Sequence, residues 1–293
     1  MVISSFLAVI ALSTAGAHAW GASGHQAVGF IAMEFLSPRA LSFVQNSLGD
    51  MYNRSLGPAA TWADEVRSMP DFAWSADLHF VDAEDNPPSS CNLNETRDCA
   101  NDFCVLTAIA NYTTRVVDTR LDAEQRQEAL KFLGISKGGN RISARCNGAS
   151  TNLHSVWDSG IINRLLQQSH GNSVANWVDN LVARIKTGSF KSLTSSWLSC
   201  SSVTQPLRRD LDVQINEFLS TRAVTPLECP LVWGGESNKF VCSTVFTFST
   251  GEDLCTGSYF TNAVPVIELQ IAKQAFRLAA WLNVLFDGAT NLP

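Results

Sequence analysis

Charge is scarce in this sequence: Asp, Glu, Lys and Arg make up 16% of the 293 residues, with 21 Lys and Arg against 27 Asp and Glu. A formal net charge of −6 excludes a protein that holds nucleic acid through a bulk basic surface. The 45% apolar content excludes a disordered chain, which needs low hydrophobicity and high charge. None of the eight cysteines forms a C-x₂-C pair, so a cysteine-built zinc site is a weak reading. No repeat, low-complexity tract or linker divides the chain. Beyond residue 19 no stretch reads as a membrane span; the most apolar, 264–286, is broken by Glu268, Lys273 and Arg277. Histidine is rare as well: His18, His25, His79, His154 and His170 are the full set.

Residues 1–19 carry no Asp, Glu, Lys or Arg, and the apolar stretch 6–12 leads to Ala17-His18-Ala19. Small residues at −3 and −1 predict a secretion signal cleaved after Ala19, with Trp20 as the new amino terminus. Three sequons, at Asn53, Asn94 and Asn111, suit a secreted glycoprotein. An even number of cysteines behind a signal predicts disulfides.

Helical periodicity dominates the rest and predicts one mainly α domain over 20–293. Helices are expected at 27–36, 40–48, 58–67, 102–118, 122–133, 152–168, 173–185, 205–220 and 266–286, with Ser37 capping the second. In the last, Ile267, Ile271, Leu278, Trp281, Leu282 and Leu285 share one face. Strand signals are few: 240–248, where Val241, Thr244 and Phe246 punctuate the run, and 140–145. Loops are expected at 82–98 and 137–140.

His154 and Asp158 stand four apart on a predicted helix and share a face, which makes either half of a zinc site or a surface pair. On spacing alone the surface pair is the better reading. Asp64, near Trp62 and one turn from Arg67, reads as a ligand with an electrophilic partner or as an exposed ion pair. His79 lies between apolar neighbours and reads as a ligand or a core histidine. His25 lies close enough to the new amino terminus for the two to share one metal. His170 reads as a helix-end residue without a role.

Taken together, these segments resemble the S1/P1 nuclease family of secreted zinc-dependent nucleases. The resemblance rests on Trp20-Gly21-x-x-Gly24-His25, Thr61-Trp62-Ala63-Asp64, Leu78-His79-Phe80-Val81-Asp82-Ala83, Asn152-Leu153-His154-x-x-Trp157-Asp158 and Leu278-Ala279-Ala280-Trp281-Leu282-Asn283. It spans essentially all of 20–293. It implies a single helical domain of the phospholipase C/P1 nuclease type with a minor β-hairpin, up to three Zn²⁺, and single-stranded DNA and RNA as substrates of a monomer with no membrane contact. By the same resemblance Trp20 and His25 hold one zinc, Asp64 and His79 a second, and His154 and Asp158 a third. Asp64 orients the attacking water and Arg67 stabilises transition-state charge. Phe80 stacks a base, Asp82 bonds its edge, and Asn140 lines the same pocket. Cys99–Cys104 and Cys91–Cys242 match the family's disulfides; the pairing of Cys146, Cys200, Cys229 and Cys255 stays open. A zinc-dependent phospholipase C is the alternative enzyme on the same fold, disfavoured by Phe80 and Asp82.

The chain departs from that family at one place. Members carry a motif resembling H-F-x-G-D-x-H-Q-P-L-H before the Gly-Gly-Asn loop, with two His ligands and a bridging Asp. Here residues 129–140 read A-L-K-F-L-G-I-S-K-G-G-N, and about fifteen residues are absent. Skipped coding sequence accounts for the abrupt joint better than a degenerate paralogue or a non-catalytic nucleic-acid or nucleotide binder does. With ligands missing, the chain as written is expected to bind fewer than three zinc ions and to be inactive or very weak.

Overall fold

Helix α1 (Ala22–Met33) starts at the described amino end and passes through the core, burying His25, Ala27, Val28, Ile31 and Ala32. The computed structural model describes residues 21–99, 102–132, 142–198 and 228–293. The signal at 1–19, Trp20, Asn140, the 137–140 loop and the predicted helix 205–220 lie outside those residues.

Helix α2 (Pro38–Leu48) begins with proline at its first position, where the missing N–H costs no hydrogen bond. Ser37 occupies the cap, but its hydroxyl makes no cap bond. It lies instead against Asn283 Oδ1 at 3.0 Å and Asp287 Oδ2 at 2.5 Å. Asp287 also accepts the Ala40 amide at 3.0 Å, so a carboxylate from the other end of the chain caps α2.

The single helix expected at 58–67 is two short ones, α3 (Leu56–Ala59) and α4 (Trp62–Val66). A 3₁₀ helix, Pro70–His79, follows. The 82–98 segment is mostly loop, closed by α5 (Glu95–Asp98). Next come α6 (Val105–Val117) and α7 (Ala123–Phe132), the second started by Asp122 accepting the Gln125 amide at 2.8 Å.

One antiparallel hairpin pairs β1 (Ser143–Cys146) with β2 (Ala149–Asn152). Its two-residue turn, Asn147-Gly148, has φ of 52° and 81°, the left-handed pair a tight hairpin requires. The helix expected at 152–168 is interrupted: α8 (Leu153–Ser155) enters a π-turn, Val156–Gly160, before α9 (Ile161–Ser169). Helices α10 (Val174–Lys186) and α11 (Thr194–Trp197) follow.

The strand expected at 240–248 is corrected. Helix α12 (Glu228–Phe240) runs into a π-turn, Val241–Val245. Pro230, Gly234 and Gly235 hide α12 from propensity, and the β-branched residues of 241–245 imitate a strand. Tertiary bonds override both: Cys91–Cys242 ties this segment to the 82–98 loop, and Tyr259 donates its hydroxyl to the Val245 carbonyl at 2.8 Å.

Helix α13 (Gly257–Asp287), 31 residues long, starts well before the expected 266 and carries Pro265 in its interior. It buries Ile267, Ile271 and Ala275 at four-residue steps, with Phe276 beside them. Phe276 meets Phe35 and Trp197 edge-on at 5.3 and 5.7 Å. The disulfides Cys99–Cys104 and Cys91–Cys242 form as the resemblance implied, and Cys146–Cys255 forms a third. Cys229 is disulfide-bonded as well. Among the described residues no helix is long and apolar enough to cross a membrane.

Candidate metal centre

Four segments deliver the site. The first turns of α1 carry His25, which is 1% exposed. Helix α4 carries Asp64, with its side chain 7% exposed, so it is not on a solvated face. The 3₁₀ helix ends in His79, at 0%. The hairpin runs directly into α8 and the π-turn, which carry His154 and Asp158, also buried. The bland readings of Asp64 as an exposed ion pair and of His154–Asp158 as a surface pair therefore fail.

Asp64 stands between two imidazoles. Its Oδ2 is 3.1 Å from His25 Nε2, and its Oδ1 is 3.6 Å from His79 Nδ1. Arg67, one turn on, brings its Nε to 3.8 Å from the same Oδ1. His154 Nε2 and Asp158 Oδ2 are 2.7 Å apart; the π-turn keeps the i, i+4 pair in contact.

The start of α1 is tied to the second pair. The Gly21 amide donates to the Asp158 carbonyl at 2.9 Å, and the His25 amide donates to the Gly21 carbonyl at 3.2 Å. A Cβ on Gly21 would run into Ser159 Oγ and lie 3.0 Å from the Asp158 carbonyl, so the close approach suits glycine. Gly160 is constrained too: a Cβ there would lie 2.6 Å from Cys146 Sγ and 2.9 Å from Cys255 Sγ. The disulfide thus seats the end of the π-turn that holds Asp158.

The buried ring nitrogens test whether a cation fits. Among the described residues neither His25 Nδ1 nor His79 Nδ1 has a hydrogen-bond partner. Ser75 is buried and donates its hydroxyl to the Phe72 carbonyl at 2.8 Å, leaving a lone pair 3.5 Å from His79 Nε2. On its other side His79 turns Nδ1 toward Asp64 Oδ1. Facing lone pairs in a buried site repel unless a second proton or a cation intervenes. Imidazole and carboxylate together suit zinc. Among the described residues, however, no group of three or more His, Cys, Asp or Glu side chains is arranged to hold a metal. The donor atoms fit a zinc ion as partial sites.

Phe80 is half-buried and Asp82 exposed where the chain leaves the 3₁₀ helix. The Phe80 carbonyl accepts the Val105 amide at 2.9 Å, and the nearby Cys99–Cys104 disulfide packs with Val81 and Leu106. Sequence reading missed Lys131. Its Nζ lies 3.7 Å from the centre of the Trp62 ring and 5.4 Å from that of Tyr52. Burial pulls its pKa below the usual lysine value, against the raising pull of Glu128 and Glu124. Lys131 and His25 line one cavity of about 20 Å³, room for a single water. Nothing in the local pattern of α7 marks this lysine, because its partners come from α4 and the turn after α2.

A mainly helical domain thus buries two histidines on one aspartate beside a guanidinium. The S1/P1 Nuclease family matches residues 20–287. The chain is 35% identical over 282 residues to Nuclease P1 of Penicillium citrinum, covering 90% of this chain and 97% of that protein. It is 32% identical to Nuclease S1 of Aspergillus oryzae, covering 92% of each. With Endonuclease 3 of Arabidopsis thaliana it shares 30% over 94% of its own length and 92% of the relative's. The chain belongs to the S1/P1 nuclease family.

Proposed function

We propose that this chain is a secreted, glycosylated, zinc-binding protein of the nuclease class, comprising residues 20–293 after a signal cleaved behind Ala19. Its substrates are single-stranded DNA and RNA, cut at the P–O3′ bond to leave 5′-phosphates, and it acts as a monomer. The observation that carries this reading is Asp64 held between His25 and His79, with Arg67 beside it.

His25 with the Trp20 amine and carbonyl, Asp64 with His79, and His154 with Asp158 are the groups that hold zinc. When bound, zinc supplies positive charge for the phosphodiester and acidifies water near neutral pH. Asp64 accepts a hydrogen bond from the attacking water and orients it. Arg67 donates to the phosphoryl oxygens as charge builds on them. Phe80 stacks a base and Asp82 accepts from its edge. Stacking without edge readout of a duplex favours unpaired bases.

Metal load decides how much activity remains. Two-residue ligand sets fall short of the three protein ligands usual at a catalytic zinc. We therefore expect fewer than three zinc ions and weak or no turnover. A second reading, a nucleic-acid or nucleotide binder without catalysis, is favoured by the same shortage of ligands among the described residues. Elemental analysis of purified 20–293, run beside digestion of single-stranded DNA and of phosphatidylcholine, separates the readings. Three tight zinc ions with full nuclease activity would overturn the reduced load; phosphatidylcholine hydrolysis without nuclease activity would overturn the nuclease reading itself.

A further inference from the structure

Trp74 is 48% exposed, an unusual place for the largest apolar side chain in a secreted domain. It sits on the 3₁₀ helix Pro70–His79, five residues before the buried His79. The ring is nonetheless held. Its Nε1 donates to the Asp71 carbonyl at 3.0 Å, and it leans on Phe132 at 6.2 Å and 45°. Phe132 in turn meets His79 edge-on at 5.8 Å and Trp62 at 5.3 Å. Trp74 is thus two ring contacts, through Phe132, from the Asp64–His79 pair.

From this geometry we infer that Trp74 is a stacking platform for a base of the single strand that flanks the reacting phosphodiester. The inference rests on the nuclease reading and adds a second aromatic contact to Phe80. A planar ring already immobilised from one side loses little entropy when a base lies on it. Stacking is indifferent to base identity, which suits a non-specific strand. Asp71 and Asp77, both exposed on the same helix, oppose a phosphate contact here and leave the face to an uncharged base. The platform therefore contributes to affinity without adding to counterion release.

The test uses intact 20–293 and two phosphorothioate-linked probes, a dodecathymidylate and a dithymidylate, with affinity measured across a salt series. Trp74→Ala is expected to weaken the longer probe about 5- to 150-fold. The salt slope and the affinity for the shorter probe should stay as in the wild type, and Trp74→Phe should recover most of the loss. Equal binding of the longer probe by Trp74→Ala overturns the inference. So does an equal loss on both probes, which would mark a structural effect on the site. A wild-type protein that binds neither probe overturns the nucleic-acid reading and this inference with it.

Discussion

The Gly21 amide donates to the Asp158 carbonyl at 2.9 Å, and through that bond the start of α1 meets the turn that carries a buried carboxylate. A Cβ at position 21 would displace the Ser159 hydroxyl and crowd the Asp158 carbonyl at 3.0 Å. Gly21→Ala should therefore cost about 1–3 kcal/mol of stability, read as a shift in the urea midpoint at constant slope. An unchanged midpoint would mean that α1 does not dock as described.

The same contact makes the point of cleavage matter. Only a cut after Ala19 frees the amine of Trp20 immediately before Gly21. Amino-terminal sequencing of the secreted protein is expected to start Trp-Gly-Ala-Ser; a start at any other residue removes the proposed terminal ligand.

Asp64 lies 3.1 Å from one imidazole and 3.6 Å from another. For a site that binds zinc in the folded state alone, zinc at 100 times Kd adds about 2.7 kcal/mol to stability. Asp64→Asn should remove most of that gain while leaving the metal-free protein folded. Thermal melts of both proteins in chelator and in excess zinc give the answer. The same zinc-induced rise in Tm in both proteins would rule Asp64 out as a ligand.

The 82–98 loop should be sensitive to acid. Burial alone would raise the Asp98 carboxyl. The Arg97 hydrogen bond and the amides of Asn94 (2.7 Å) and Glu84 (2.9 Å) outweigh it and hold the pKa below the usual carboxylate value. A depressed folded pKa contributes stability that is present above the unfolded value and fades as pH falls through the folded one. Proteolysis within 82–98 should rise as pH falls below about 4, and Asp98→Asn should abolish that dependence.

Gly160 seats the Cys146–Cys255 disulfide against the end of the π-turn. Replacing both cysteines by serine should cost about 2–5 kcal/mol. Beyond that loss, zinc binding at His154 and Asp158 should weaken, because loosely held ligands lower affinity. Isothermal titration at a temperature where the variant is still folded measures this; unchanged zinc affinity would detach the disulfide from the metal site.

Most helices were legible because each buries one face, and a 3.6-residue period survives any detail of packing. Ser173 and Asp122 were also readable as starts, since capping is a local matter. The run 240–248 misled because β-branched residues favour strands on average. Here Cys91–Cys242 and the Tyr259 hydroxyl hold the backbone in a π-turn. The break at 156–160 was invisible for a related reason: one extra residue in a turn leaves the apolar pattern nearly intact.

The sequence by itself determined the helical class and the family, and singled out His25, Asp64, His79, His154 and Asp158 as candidate ligands, because these depend on residue type and short spacing. Tertiary structure alone decided that Asp64 is buried between two histidines, that Ser75 comes within 3.5 Å of His79 Nε2, and that Asp287 caps α2. It also brought Lys131 onto Trp62 and left Trp74 exposed. Each of these joins segments that lie apart in the chain or turns on burial, and only packing fixes which side chains meet away from water.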